Sequence, residues 1–444
     1  MGKTTNDLTR RDVIGLAGAA GAAGIAGIGA TGTVGARQDD YPPLGNYPID
    51  GDTATFGFTV PLSGPYSSEG EDELRAYKLA VDHLNNGGGW VDNWEQLSGN
   101  GVLDYRIDFV QGDTATDADT ARQTAQRMIQ RDGVIMVTGG SSSATAIAMQ
   151  ELCQQQNVQF MCCLTHSDDT TGKNCVRYSF REVFNAFMTA QALEPPVTEE
   201  YGTDNQFYQL YADYTWGQTV QASMQQFFEE AGWTQMDSVA TPLGTSDFST
   251  FLSNVPGDAD VLFLDHYGLD GANSLSQAID MGIDENVEIV MPLYNRPMAQ
   301  AAAGAIEGIY GTVAWDSQLD NEPTRTFTQA FNEEYERTPS GPAQLAYAQT
   351  LQYAAAVERA GTFYPPEVIR QLEDYEYDNV GMGPEIMRAC DHQAMRAVPV
   401  VKGLPEDEQE QGTFFEIVDV TERSEVEYGC DSGPAAECEL GSYE

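Results

Sequence analysis

Three consecutive hydroxyls stand at Ser141, Ser142 and Ser143, directly after the apolar run Gly133-Val134-Ile135-Met136-Val137-Thr138 and a Gly139-Gly140 turn. The run reads as a short strand of the buried parallel type, and the serines open the helix that follows. Hydroxyls and the free N–H groups of a helix N-terminus together hold a carboxylate without any Lys or Arg. An ordinary cap needs only one serine. Thr165 and Ser167 close the next strand and offer hydroxyls to the same anion. Later in the chain, Asp213-Tyr214-Thr215-Trp216 and Asp265-His266-Tyr267 also follow strands, where aromatic rings wall in an organic ligand.

The groups that catalysis needs are missing. Of the four histidines, His83 lies beside the apolar stripe of the first helix and reads as a boundary residue. His166 and His266 sit just after strands, where α/β proteins keep ligand groups, and His392 lies late in the chain. There is no Gly-x-Ser-x-Gly elbow, no His-Glu-x-x-His and no Gly-rich loop ending in Gly-Lys-Ser/Thr. Acidic residues are too abundant for any pair of them to be informative. The expectation is a binding protein, not an enzyme, with no cofactor and no metal. Gly27-Ile28-Gly29-Ala30-Thr31-Gly32 spells a dinucleotide fingerprint, but it lies in an apolar leader with no strand before it.

Parallel strands with helices between them position such loops. Phe56–Val60 reads as a first strand and Glu71–Asn85 as a helix with Leu74, Tyr77, Val81 and Leu84 on one stripe. Residues 105–110, 133–138 and 158–163 read as strands, and 116–131 and 141–156 as helices. Asp117 and Asp119 complement the dipole of the first of these helices. A second block of about 130 residues, typical of one α/β domain, repeats the pattern. It has strands at 206–212, 261–264 and 287–291, helices at 216–231 and 273–281, and a helix at 185–201 interrupted near Pro195-Pro196. Residues 299–307 read as a short helix. Helical patterns follow at 324–337, 343–360 and 365–374, then strands at 394–401 and 413–420 around a charged loop at 406–411. Two α/β lobes flanking a cleft result.

The charge balance is extreme: 68 acidic against 22 basic residues, a formal net charge of −46 over 444 residues. Such a chain repels nucleic acid and anionic lipid, and concentrated salt screens its self-repulsion. A salt-rich milieu is therefore expected. Thr9-Arg10-Arg11-Asp12-Val13-Ile14 is a twin-arginine arrangement, followed by a Gly/Ala-rich apolar stretch to about Ala30 and small residues at Val34-Gly35-Ala36. This is the layout of an export signal, too short and Gly-rich for a permanent membrane helix. No Cys precedes Cys153, so no lipobox cysteine is present. The seven cysteines (153, 162, 163, 175, 390, 430 and 438) suit an oxidising compartment. Cys430 and Cys438 are candidates for a short staple, Cys162-Cys163 reads as a buried strand end, and the odd count leaves at least one thiol free or paired between chains.

The segments FGFTVPLSGPYSSEG, AYKLAVDHLNNGGG, TARQTAQRMIQRDGVIMVTGGSSSATA, YADYTWGQTVQASMQQFFEEAGW, PLGTSDFSTFLSNV and ACDHQAMRAVPVV stand in order over residues 53–425. In them the chain resembles the type I periplasmic solute-binding proteins of ABC importers, nearest the branched-chain amino acid family. The resemblance implies an α/β fold of two parallel-sheet lobes joined by a three-crossing hinge. Residues 1–36 would be the signal and 37–52 a linker. Residues 53–183 and 313–381 would form the N-terminal lobe, 184–312 and 382–425 the C-terminal lobe, and 426–444 a tail. It also implies an exported, monomeric protein at the outer face of the cell membrane or secreted. Its partners would be a small organic solute and the permease subunits, with no nucleic acid.

The family's ligand contacts carry over to Ser141, to Thr165 and Ser167, to Trp216 and Tyr267, and to Tyr66 or Glu69 in the first loop, and Ser142 joins them from the triple-serine pattern itself. In one respect the chain departs from the pattern. Amino-acid binders place an acid after the strand ending near Met291 to hold the ligand's ammonium, and here that stretch is Met291-Pro292-Leu293-Tyr294-Asn295. Asp265 or Glu69 would have to replace that acid, with Tyr294 and Asn295 lining the site. The expected ligand is an amino acid or amide, and the alternative is an aromatic or other ammonium-free acid, or presentation of ligand to a membrane sensor.

Overall fold

The computed structural model describes residues 41–409 and 413–443. The twin-arginine motif, the apolar leader and the cleavage site lie outside the described residues. The first sheet is built from β1 (Thr53–Val60), β2 (Arg106–Asp113), β3 (Met136–Gly139), β4 (Gln159–Cys162) and β5 (Ser179–Arg181). All are parallel, in the order β2-β1-β3-β4-β5. Between them run α1 (Ser67–Asn86), α2 (Ala118–Arg131), α3 (Ser143–Gln156) and α4 (Asp168–Thr171). The chain then passes through residues 182–185 into α5 (Ala186–Tyr201), β6 (Gln206–Ala212), α6 (Thr215–Glu230), β7 (Thr234–Thr241), α7 (Ser249–Leu252), β8 (Val261–Asp265), α8 (Gly268–Asp280), β9 (Glu288–Tyr294), α9 (Arg296–Ala301) and β10 (Tyr310–Val313).

A second crossing after β10 leads to α10 (Glu322–Tyr335), α11 (Gly341–Ala360), α12 (Pro365–Leu372), β11 (Tyr375–Tyr377) and β12 (Glu385–Met387). Helix α11 lies along α1 and is buried from Gly341 to Val357, as an apolar helix in a core must be. A third crossing, through β13 (Ala394–Met395), brings in β14 (Val398–Gly403), β15 (Phe415–Thr421) and α13 (Arg423–Val426); residues 385–393 stay with the first lobe, where His392 and Gln393 lie against β5, so the return to the second lobe falls near 394 and not at the expected 382. The second sheet has the order β15-β14-β10-β9-β8-β6-β7. Unlike the first it is not wholly parallel, because β14 and β15 run antiparallel at one edge. The two large sheets, joined by three crossings beside a small antiparallel sheet β11-β12-β13, make the two-lobed type I binding-protein fold.

Several expectations are corrected. Helix α5 continues through Pro195 and Pro196. Each proline removes a donor and crowds the preceding turn, but Leu193 and Val197 are fully buried and the helix packs on α6, β10 and β14. Tertiary burial outweighs the local cost. Strand β7, half-buried and rich in polar residues, carries no apolar run to announce it. Strand β9 extends to Tyr294, so Met291–Tyr294 is strand and not a loop after one. The described part of the linker is docked. Asn46 Nδ2 donates to the carbonyls of Ile129 and Val134 at 2.9 and 2.7 Å, and the Tyr41 ring stacks on Tyr364 at 4.5 Å. Cys430 and Cys438 do not pair with each other: the disulfides are Cys175–Cys438 and Cys390–Cys430. Cys153, Cys162 and Cys163 are free and buried, the last two at the end of β4.

Candidate ligand-binding site

A cavity lies between the lobes, lined by Tyr66, Ser141, Ser142, Ser143, Leu164, His166, Tyr214, Trp216, Tyr267 and Leu293. Six of these come from the loops after β1, β3 and β4, and the other four from the loops after β6 and β8 and the end of β9. Ligand groups in open α/β sheets gather at the carboxyl ends of strands.

The serine loop is shaped by backbone geometry. A Cβ on Gly139 would meet the Thr59 carbonyl oxygen at 1.8 Å, so only glycine lets β3 turn there. Ser142 then takes φ +102°, a region that non-glycine residues seldom occupy and that clusters at functional sites. The hydroxyl of Ser141 donates to Glu73 Oε1. Ser143 Oγ accepts from Thr165 Oγ1 at 2.9 Å and from the Ser167 amide at 3.2 Å. Ser142 Oγ is buried and makes no protein hydrogen bond.

The cavity-lining residues Tyr66, Ser142, Tyr214 and Tyr267 are the N-cap residues of α1, α3, α6 and α8, and none of these caps provides a side-chain hydrogen bond. Elsewhere α2, α5 and α10 are capped by Asp117, Asn185 and Asn321. Four uncapped helix N-termini therefore converge on one cavity, each contributing partial positive charge and free N–H donors. Further unpartnered buried atoms in its wall are both ring nitrogens of His166, Trp216 Nε1 and the Tyr267 hydroxyl. Burial lowers His166 to about 3, so the imidazole is neutral. Burial raises Glu73, behind Ser141, to about 8, so it carries a proton at neutral pH. The rings of Tyr66 and Trp216 stand edge-on to Tyr267 at 5.6 and 6.1 Å, forming a continuous aromatic wall.

The site brings together Ser141, Ser142, Tyr66, Trp216 and Tyr267 of the residues expected from sequence. Thr165 and Ser167 lie behind Ser143 and brace it. Asp265 is the last residue of β8 and receives a hydrogen bond from Gln209 Nε2 of β6 at 3.0 Å, inside the sheet. Glu69 accepts from Asn295 Nδ2 at 2.8 Å and from Ser68 Oγ at 2.7 Å. Asn295 also caps α9 through Met298 N. Tyr294 lies in β9 against Phe415 at 5.3 Å. None of Asp265, Glu69, Tyr294 and Asn295 is among the residues that line the cavity. Ser143, His166 and Tyr214 stand at post-strand positions visible in the sequence. Leu164 and Leu293 carry no chemical signal and enter the wall only through the ends of β4 and β9. Among the described residues no cluster of His, Cys, Asp and Glu fits a metal ion.

The closed arrangement is held by contacts between the lobes. The Tyr66 and Tyr214 hydroxyls share a hydrogen bond of 2.7 Å, Asn295 reaches Glu69, and Thr215 Oγ1 donates to Ser167 Oγ at 3.0 Å. Asp168 Oδ1 accepts from the Phe187 amide at 2.9 Å and Oδ2 from Ser223 Oγ at 3.1 Å.

Residues 53–408 match the family described as periplasmic binding protein. The chain is similar to the Leu/Ile/Val-binding protein homolog 7 of Brucella abortus (strain 2308), 24% identical over 345 residues, which cover 74% of this chain and 83% of the relative. It superposes on a periplasmic binding protein from Burkholderia mallei with a TM-score of 0.79 and 22% identity, covering 87% of this chain and 100% of the other. A solute-binding protein of an ABC transporter from Rhodopseudomonas palustris BisB5, in complex with 3,4-dihydroxy benzoic acid, matches with a TM-score of 0.73 and 19% identity over 84% of this chain and 98% of the other. At these identities the two structures establish the shared fold.

Proposed function

The chain belongs to the periplasmic binding protein family, and from that premise we propose that it is the extracytoplasmic solute-binding subunit of an ABC importer, selective for a small ring-bearing carboxylic acid without an ammonium group. It captures the solute between two closing lobes and presents it to permease subunits; it is not an enzyme. The observation that carries the ligand class is the chemistry of the cavity wall. Four uncapped helix N-termini, a neutral imidazole and an indole N–H face the cavity, and no Asp or Glu is among its lining residues. An anion finds donors there. An ammonium would be desolvated with no carboxylate beside it, and cation–π attraction of about 0.5–2 kcal/mol replaces one poorly.

This reading reverses the order of the two ligand classes drawn from sequence. The aromatic wall and the benzoic acid ligand of the Rhodopseudomonas relative support it; the name of the Brucella relative supports the amino-acid alternative. The test is a thermal-shift panel of benzoate, 4-hydroxybenzoate, leucine, glutamate, urea and acetamide at high salt. Stabilisation by the benzoates and not by leucine is expected, and the reverse result overturns the ligand class. Export by the twin-arginine route and adaptation to concentrated salt belong to the same proposal, supported by Arg10-Arg11 with the apolar stretch behind them and by the net charge of −46.

A further inference from the structure

Residues 423–443 lie beyond the 53–408 segment that carries the family match, and they travel from one lobe to the other. At the start, α13 packs on α5 of the second lobe, where Gln191 Nε2 donates to the Glu425 carbonyl at 2.6 Å and Val426 is fully buried. Next, the Tyr428 hydroxyl accepts from Asn185 Nδ2 at 2.6 Å and its ring meets Phe187 at 5.3 Å. Then Cys430 is bonded to Cys390, in the loop whose His392 carbonyl accepts from the Arg181 amide of β5 at 3.0 Å.

Beyond Cys430, the turn Gly433–Glu437 rests on α4 of the first lobe, and Cys438 is bonded to Cys175. Tyr443 is held against the same lobe. Its hydroxyl donates to Glu373 Oε2 at 2.7 Å, and the guanidinium groups of Arg177 and Arg370 each lie 4.6 Å from its ring centroid.

We propose that this segment is a fourth, covalently locked tie between the lobes, a strap that limits how far the hinge opens. Three backbone crossings alone leave the lobes free to rotate about them. The strap adds a connection displaced toward α4, the helix through which Ser167 and Asp168 already grip α6 and α5 across the lobe boundary. Its reach is short. From Val426, buried in the second lobe, to Cys430, fixed to the first, four residues extend at most about 14 Å. Opening beyond that length must break a disulfide or pull α13 off α5. A narrower range of open states lowers the ordering that ligand capture must overcome.

The test inserts six Gly/Ser residues between the exposed Gly429 and Cys430, adding roughly 20 Å of slack while leaving both disulfides and the Tyr428 contacts in place. Donor and acceptor dyes on non-canonical residues replacing the exposed Asp108 of β2 and Asp237 of β7 report lobe separation without ligand by single-molecule energy transfer. The lengthened strap is expected to shift the distribution to longer distances and broaden it, with the thermal midpoint little changed. Reduction of the native chain with a phosphine under non-denaturing conditions is expected to do the same. An unchanged distribution in the lengthened, disulfide-intact protein overturns the proposal. If that variant fails to fold, an unchanged distribution in the reduced native chain does so. Loss of thermal stability with no shift in lobe separation assigns the disulfides a purely stabilising role and equally overturns it.

Discussion

The hydroxyl of Ser141, in the loop after β3, donates its hydrogen bond to Glu73 of α1, and both residues are fully buried. The first serine of the cavity is therefore tied to an acid that burial holds near 8. In the protonated form, the acid adds no negative charge behind a site lined with donors, and its second oxygen has no hydrogen-bond partner. The pair sets both the polarity of the site and a pH dependence.

Ser141→Ala removes one hydrogen-bonding group from the cavity floor and leaves Glu73 with one partner fewer. Isothermal titration with the best-binding acid of the panel is expected to show a loss of about 0.5–2 kcal/mol. Unchanged affinity would show that Ser141 does not contact the solute.

Glu73→Gln tests the pH dependence. An unfolded glutamate titrates near 4.3, whereas the folded group titrates at about 8. Between these values the folded chain holds a proton that the unfolded chain has released, so stability falls as pH rises, and this contribution is gone above the folded value. Asp168, raised by burial to about 7, acts with the same sign. The lowered histidines, His83, His166, His266 and His392, act oppositely, but only below their unfolded value of about 6.5. The thermal midpoint is therefore expected to fall between about pH 6.5 and 8.5 in the native chain and to fall less in Glu73→Gln; equal slopes would refute the assignment.

Tyr66→Phe removes the hydrogen bond to Tyr214 that joins the lobes over the cavity. A net loss of about 1 kcal/mol shifts the closed-to-open ratio roughly fivefold. Small-angle scattering of the ligand-free variant is expected to give a larger radius of gyration than the native chain, with the difference closing when ligand saturates the site.

The charge of −46 predicts salt-dependent folding. The screening length falls from about 10 Å at 0.1 M to about 3 Å at 1 M, which quiets repulsion among surface carboxylates. Calorimetry is expected to show a midpoint that climbs from 0.1 M to 3 M KCl; a midpoint that does not move would contradict the reading.

Much of the fold follows from local sequence. Apolar runs such as Val261–Leu264, stripes such as Tyr77, Val81 and Leu84, and punctuation such as Gly139-Gly140 specify strands, helices and turns through periodicity and backbone sterics, and these alternate in the order of an α/β protein. The same signals mark the post-strand loops that build the cavity, including the triple serine. Local signals fail where long-range burial decides the outcome. Pro195 and Pro196 remain helical because α5 is held by α6 and two strands, and β7 exists because β6 offers it an edge. The direction in which a side chain faces is also a tertiary matter. Asp265 and Glu69 follow a strand and a loop in sequence as plausibly as Tyr267 and Tyr66 do, but Gln209 draws the first into the sheet and Asn295 takes the second as a link between lobes. Cysteine pairing behaves likewise. Cys430 and Cys438 are near neighbours in sequence, but each bonds a partner 40 or 263 positions away, because disulfides form between Cα atoms that the fold brings within about 7 Å, and only the folded chain sets those distances.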